Sequence, residues 1–139
     1  MTTATLPAPR WGTYLRQNVL PAVIVTPIIT VIVYLVLEAI GWMPDTVLVQ
    51  PANQPITVIP VVMLTIMSTL GASLVYAGLQ RFTATPTRIF YIVAAVVFLI
   101  MAIPPFSLPN VPTEMIIALQ VLHVAAAVPI VWLLTRRTA

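Results

Sequence analysis

The placement of charge constrains this chain more than any other feature. Residues 19–37, 56–79, 89–103 and 115–134 contain no Asp, Glu, Lys or Arg, and every arginine stands outside them. Crossing the hydrocarbon core of a bilayer takes about 20 apolar residues of α-helix. Three of the runs reach that length alone, and the run at 89–103 draws on its flanks. Inside lipid each backbone N–H and C=O has to be paired within the protein, which makes helices the solution for runs of this kind. With 60% hydrophobic and 6% charged residues and a mean hydropathy of +1.08, the chain has too few polar groups to clothe a soluble domain.

The expected fold is therefore all-α. It is one membrane domain over residues 1–139, an up-down antiparallel bundle of four transmembrane helices at about 19–40, 56–79, 88–104 and 114–134. Short loops make successive helices neighbours. Trp11, Tyr14 and Arg16 read as an interfacial lead-in, because aromatic rings settle at headgroup level and arginine on its aqueous side. The run that follows is too long for a signal-peptide core, and Glu38, Ala39, Ile40, Gly41 and Trp42 offer no small-residue cleavage pattern. Pro21 is expected in a first helical turn, where its missing N–H is harmless. Pro27 lies deeper, where it should kink or loosen the helix. Thr113 is expected to cap the last helix, with Glu114 favourable in its first turn.

Arginine also sets an orientation. Arg10 and Arg16 precede the first span, Arg81 and Arg88 separate the second from the third, and Arg136 and Arg137 follow the fourth. The two other connections hold none. By the positive-inside rule both termini are expected on the cytoplasmic side of the cytoplasmic (plasma) membrane. Glu38, Asp45 and Glu114 fall at or beyond the opposite face. Burying an arginine at a helix centre costs roughly 2.5–3.5 kcal/mol on insertion scales, which opposes any other threading.

Missing residue types narrow the chemistry. Without cysteine there is no disulfide, thiolate ligand or thiol redox step. The chain has no lysine either, all six basic residues being arginines, so no Schiff base forms. The single histidine, His123, prevents one copy from building a bis-histidine haem or a multi-histidine metal site. Six arginines split among three places make no nucleic-acid stripe.

An ionisable residue inside a membrane segment is nonetheless a functional candidate. His123 follows Glu114 by a distance that, at 1.5 Å per residue, puts it ~13 Å below the start of the fourth span, near the midplane. Gln120 precedes it on the same face. The imidazole can serve as an axial ligand to a haem or chlorin, as a proton relay, or as one end of an interhelical hydrogen bond. Most polar groups in membrane interiors take the last role, and Tyr34, Tyr76, Thr30 and Thr65 are the available partners. Ala125, Ala126 and Ala127 leave space beside the ring for a flat ligand or a neighbouring helix. The second span carries Ser68, Gly71, Ala72, Ser73 and Gly78 at helical spacings, a small-residue packing seam of the kind that lets membrane helices approach closely. Its hydroxyls bond readily to their own helix carbonyls, and no base stands beside them in sequence, so a nucleophilic role is not expected.

Arg88 opening the third span, the run ending in Pro104, Pro105, Phe106, Ser107 and Leu108, and His123 in an alanine-rich helix together resemble a small bacterial and archaeal family of four-helix membrane proteins of unknown function. The resemblance implies that His123 and the 104–108 turn are shared architecture, and it lends no activity. The expected function is that of a non-enzymatic membrane component embedded in the lipid bilayer, a homo-oligomer or an accessory subunit packed against other membrane helices, with no nucleic-acid partner. The alternatives are a haem- or chlorin-binding subunit using His123, or a small-solute or proton transporter hinged at Pro27. No cofactor follows from the residues themselves.

Overall fold

The computed structural model describes residues 11–49 and 53–136. Arg10 and Arg137 of the orientation argument therefore lie outside the described residues. Four helices are long and apolar enough to cross a membrane: α1 (Trp11–Ala39), α2 (Val58–Phe82), α3 (Pro86–Ala102, continued by a 3-10 turn at Pro104–Ser107) and α4 (Thr113–Thr135). Among the described residues there is no strand, only an isolated bridge between Val49 and Gln54.

The first helix starts earlier than the apolar run does. The lead-in is itself helical, as an α-turn at Trp11–Tyr14 and a π-helical segment at Leu15–Val19, so α1 spans 29 residues, about 43 Å at 1.5 Å per residue. Pro21 is consequently not in a first turn. A proline inside a helix removes one N–H and crowds the carbonyl four residues back. The ladder adapts just before it, where the Leu20 N–H reaches the Leu15 carbonyl, and one-turn π segments are a usual accommodation in membrane helices. The Gln17 carbonyl, which Pro21 cannot serve, takes a bond of 2.7 Å from Arg136 Nη2 instead. At Pro27 the helix runs on, and the Thr30 hydroxyl lies 3.2 and 3.0 Å from the Thr26 and Pro27 carbonyls.

Helix α1 stops at Gly41 (φ +78°). The Gly41 N–H bonds to the Glu38 carbonyl and the Trp42 N–H to that of Leu37, both at 2.9 Å. This is the paired C-terminal cap whose left-handed position favours glycine. At α4 the residue flanking the helix is Pro112, which caps through no side chain, and Thr113 is the first helical residue rather than the cap. Proline before the helix already holds the extended backbone that helix entry needs.

Helix α1 forms the spine. Its buried series Ala22, Thr26, Thr30, Tyr34, Leu37 follows the spacing of one helical face and packs against both α2 and α4. The inward face of α2 is Thr65, Thr69, Ser73 and Tyr76. Thr65, Thr69 and Ser73 each donate to the carbonyl four residues back at 2.7 Å, which satisfies the hydroxyls inside their own helix and keeps the face narrow. Helix α3 is peripheral: 11% of its apolar stretch is buried in the molecule, against 33% for α1, and its buried residues among those described are Phe90 and, in the 3-10 continuation, Pro105.

The core divides into two clusters. Tyr14, Val19, Ala22, Tyr76, Phe90, Ile130, Leu133 and Leu134 fill the end near the arginines. Tyr34, Leu37, Met43, Met115, Ala118 and Leu122 fill the other end. Between Leu122 and Ile130 no residue of α4 is buried. His123 stands in that gap.

Candidate functional site

Two clefts open into the gap. One, of about 440 Å³, is enclosed by the connection after α1 (Val49, Gln54, Pro55, Ile56), by Pro60, Val61, Leu64, Thr65 and Ser68 of α2, and by Leu119, Leu122, His123 and Ala126 of α4, with Thr30 contributed by α1. The other, of about 390 Å³, lies between α2, α3 and α4, from Gly71 and Val75 across Phe90, Val97 and Met101 to Ile130. Ser68, His123 and Ala126 line both. The clefts meet at these three residues, two of them small, and the α3 wall of the second cleft is formed by Val93, Ala94, Val97, Phe98 and Met101.

The histidine is held by its own helix. His123 Nδ1 lies 2.8 Å from the Leu119 carbonyl. A carbonyl oxygen only accepts, so Nδ1 donates, and in a neutral imidazole that leaves Nε2 as the acceptor. No hydrogen bond to Nε2 is present among the described residues, and the interhelical partners expected for the ring are engaged elsewhere. The Thr30 and Thr65 hydroxyls are 3.3 Å from each other, Tyr34 donates to the Ile56 carbonyl at 2.9 Å, and Tyr76 pairs with Thr87 at 2.9 Å. Thr30 and Thr65 nevertheless share the first cleft with His123. Gln120 is occupied elsewhere, its Nε2 donating to the Ala102 carbonyl at 2.8 Å and so joining the end of α3 to α4.

The five seam residues of α2 are separated by the fold. Ser73 is buried and Ala72 packs against the arginine-side core. Ser68 and Gly71 face the clefts. At Gly71 and Gly78 a side chain would meet nothing within 4 Å.

Sequence reasoning did not foresee the lock at the opposite end. Buried Asn18 directs its Nδ2 at the carbonyls of Leu133, Leu134 and Arg136, at 2.9, 3.4 and 2.8 Å, while the Arg136 guanidinium lies over the Trp132 ring at 5.8 Å. Tyr14, Tyr76 and Phe90 stack beside it with ring centres 5.9 and 4.9 Å apart. Phe90 of this group lines the second cleft. One signal for it was in the chain, a proline four residues after Gln17 that leaves a carbonyl for another donor.

The clefts are mostly apolar, with a few polar groups and no Asp, Glu, Lys or Arg in their walls. Small-molecule sites have this make-up. No group of His, Cys, Asp or Glu able to hold a metal is present among the described residues. No curated protein and no solved structure matches the chain. A family model does match, over residues 11–139, which take in all four apolar helices of the chain: the chain belongs to the family of unknown function DUF6069.

Proposed function

We propose that this small membrane protein is non-enzymatic and holds an uncharged small molecule in the bilayer interior, with His123 as the anchoring side chain. The observation that carries this reading is the meeting of two clefts at a histidine whose Nδ1 is already bonded, so that the ring offers only Nε2 outward. Ser68 and His123 line the same space without a hydrogen bond between them among the described residues, which supports binding over catalysis. Protein purified in a mild detergent is expected to carry one lipophilic compound per chain, seen by mass spectrometry of an organic extract, or by a visible spectrum if the compound is a haem or chlorin. His123→Leu should lose it. Protein that carries nothing and melts identically in both forms would remove the reading.

The proposed threading is an up-down antiparallel bundle in the cytoplasmic membrane with both termini inside. It is supported by Arg16 near the start of α1, Arg81 and Arg88 around the α2–α3 connection and Arg136 after α4, which an up-down bundle brings to one end. A reporter joined to the C-terminus should be active in the cytoplasm, and activity on the external side would reverse the orientation.

A second reading is favoured by the open space over Gly78, where an added Cβ would meet nothing within 4 Å among the described residues. Small uncovered residues suit a second membrane helix, whether from another copy or from a larger complex. Gly78→Leu should then reduce the particle mass in native nanodiscs, whereas an unchanged mass would confine the seam to the monomer.

A further inference from the structure

We infer that the His123 clefts select a neutral lipophilic molecule bearing one hydroxyl, an alkylphenol or long-chain alcohol, whose O–H donates to His123 Nε2 while its chain lies under α3. The inference rests on the ligand reading above and names the class of ligand.

Three observations lead there. Neither cleft has a charged wall residue, so a phosphate or carboxylate headgroup would enter without a counter-charge, which low-dielectric surroundings make prohibitive. The crossing pairs one acceptor, His123 Nε2, with one hydroxyl, that of Ser68. With Nδ1 donating to Leu119, Nε2 of the neutral ring is the acceptor that remains, whereas the Thr65 hydroxyl donates to the Val61 carbonyl at 2.7 Å and lies 3.3 Å from that of Thr30. A ligand lacking a donor would leave Nε2 unpaired, whereas a single hydroxyl satisfies it and can accept in turn from Ser68, whose own hydroxyl has no partner among the described residues. Beyond the crossing, the space between Val97, Phe98 and Met101 is wholly apolar. That matches an alkyl chain and nothing more polar.

The test compares 4-decylphenol with 4-decylanisole, its methyl ether, by calorimetric titration of the full chain in lipid nanodiscs. One hydrogen bond inside such a site is worth about 1.4 kcal/mol, a tenfold preference. The phenol should therefore bind about tenfold more tightly than the ether, and His123→Leu should erase the difference. Gly71→Leu, which extends into open space, should weaken both probes alike by filling the apolar half of the site. It keeps the test informative if the histidine variant does not fold. Equal binding of phenol and ether by the unaltered chain would overturn the hydroxyl class and leave the site standing. Binding of iron protoporphyrin IX with a spectrum that depends on His123, and of neither decyl probe, would do the same. Failure of all three probes, together with no extracted compound, would overturn the class and the site together.

Discussion

Phe90→Ala is expected to loosen α3 from the rest of the protein while α1, α2 and α4 stay together. Phe90 is 2% exposed and its ring centre lies 4.9 Å from that of Tyr76. The hydrogen bonds of α3 lie near its ends: Gln120 to the Ala102 carbonyl, Tyr76 to Thr87, and Tyr91 to Thr135. In a soluble core the same truncation costs about 3–5 kcal/mol. In lipid the transfer part of that figure disappears, because acyl chains are as apolar as the ring, and the lost packing and the aromatic pair remain. The expected loss is therefore about 2 kcal/mol, a change of roughly thirtyfold in the opening equilibrium. Because the chain has no cysteine, Val93→Cys gives a unique reporter on the α3 wall of the second cleft. Its rate of labelling by a membrane-permeant maleimide should rise by about that factor in the Phe90→Ala background. An unchanged rate would mean that the end contacts alone retain the helix.

Asn18→Leu should destabilise the whole bundle. Interhelical hydrogen bonds in membranes average only about 0.6 kcal/mol, since a polar group freed in lipid commonly finds another partner. The carbonyls of Leu133, Leu134 and Arg136 belong to the last turn of α4 and its end, where no N–H follows in the helix to replace the lost donor. The larger value for buried groups left unpaired, about 1–3 kcal/mol, is the relevant one. Asn18→Asp should be worse than Asn18→Leu at neutral pH, because a carboxylate can only accept and would face two close carbonyl oxygens. Thermal unfolding in detergent checks both. If the aspartate variant proves as stable as the leucine variant, the amide is a packing group and not a donor.

These two residues show where the sequence was legible. Four apolar runs are visible because lipid imposes one rule on every residue of a span, so the number and rough limits of the helices follow from the chain alone. Phe90 and Asn18 look no different from their neighbours in that pattern. Their roles depend on which helix faces them, and a pattern uniform around each helix does not specify a face. The start of α1 was misplaced for a related reason. Trp11 and Arg16 mark a depth in the interface, while the contacts of Tyr14 and Asn18 with α2 and α4 extend the helix through it.

His123 was visible in the sequence as the titratable group within the fourth span, but its partner was not. In a chain this poor in polar groups any threonine or tyrosine at the right depth is a candidate, and helix rotation decides among them. The fold pairs Thr30 with Thr65, turns Tyr34 and Tyr76 to other acceptors, and gives the Nδ1 proton to the histidine's own helix. Membrane residence, helix number and the absence of thiol or lysine chemistry were determined by residue types and their order, because they express the solvent each segment can tolerate. The division of the core, the clefts and the unoccupied face of the imidazole were decided by tertiary packing, because they depend on small gaps between surfaces that are chemically almost alike.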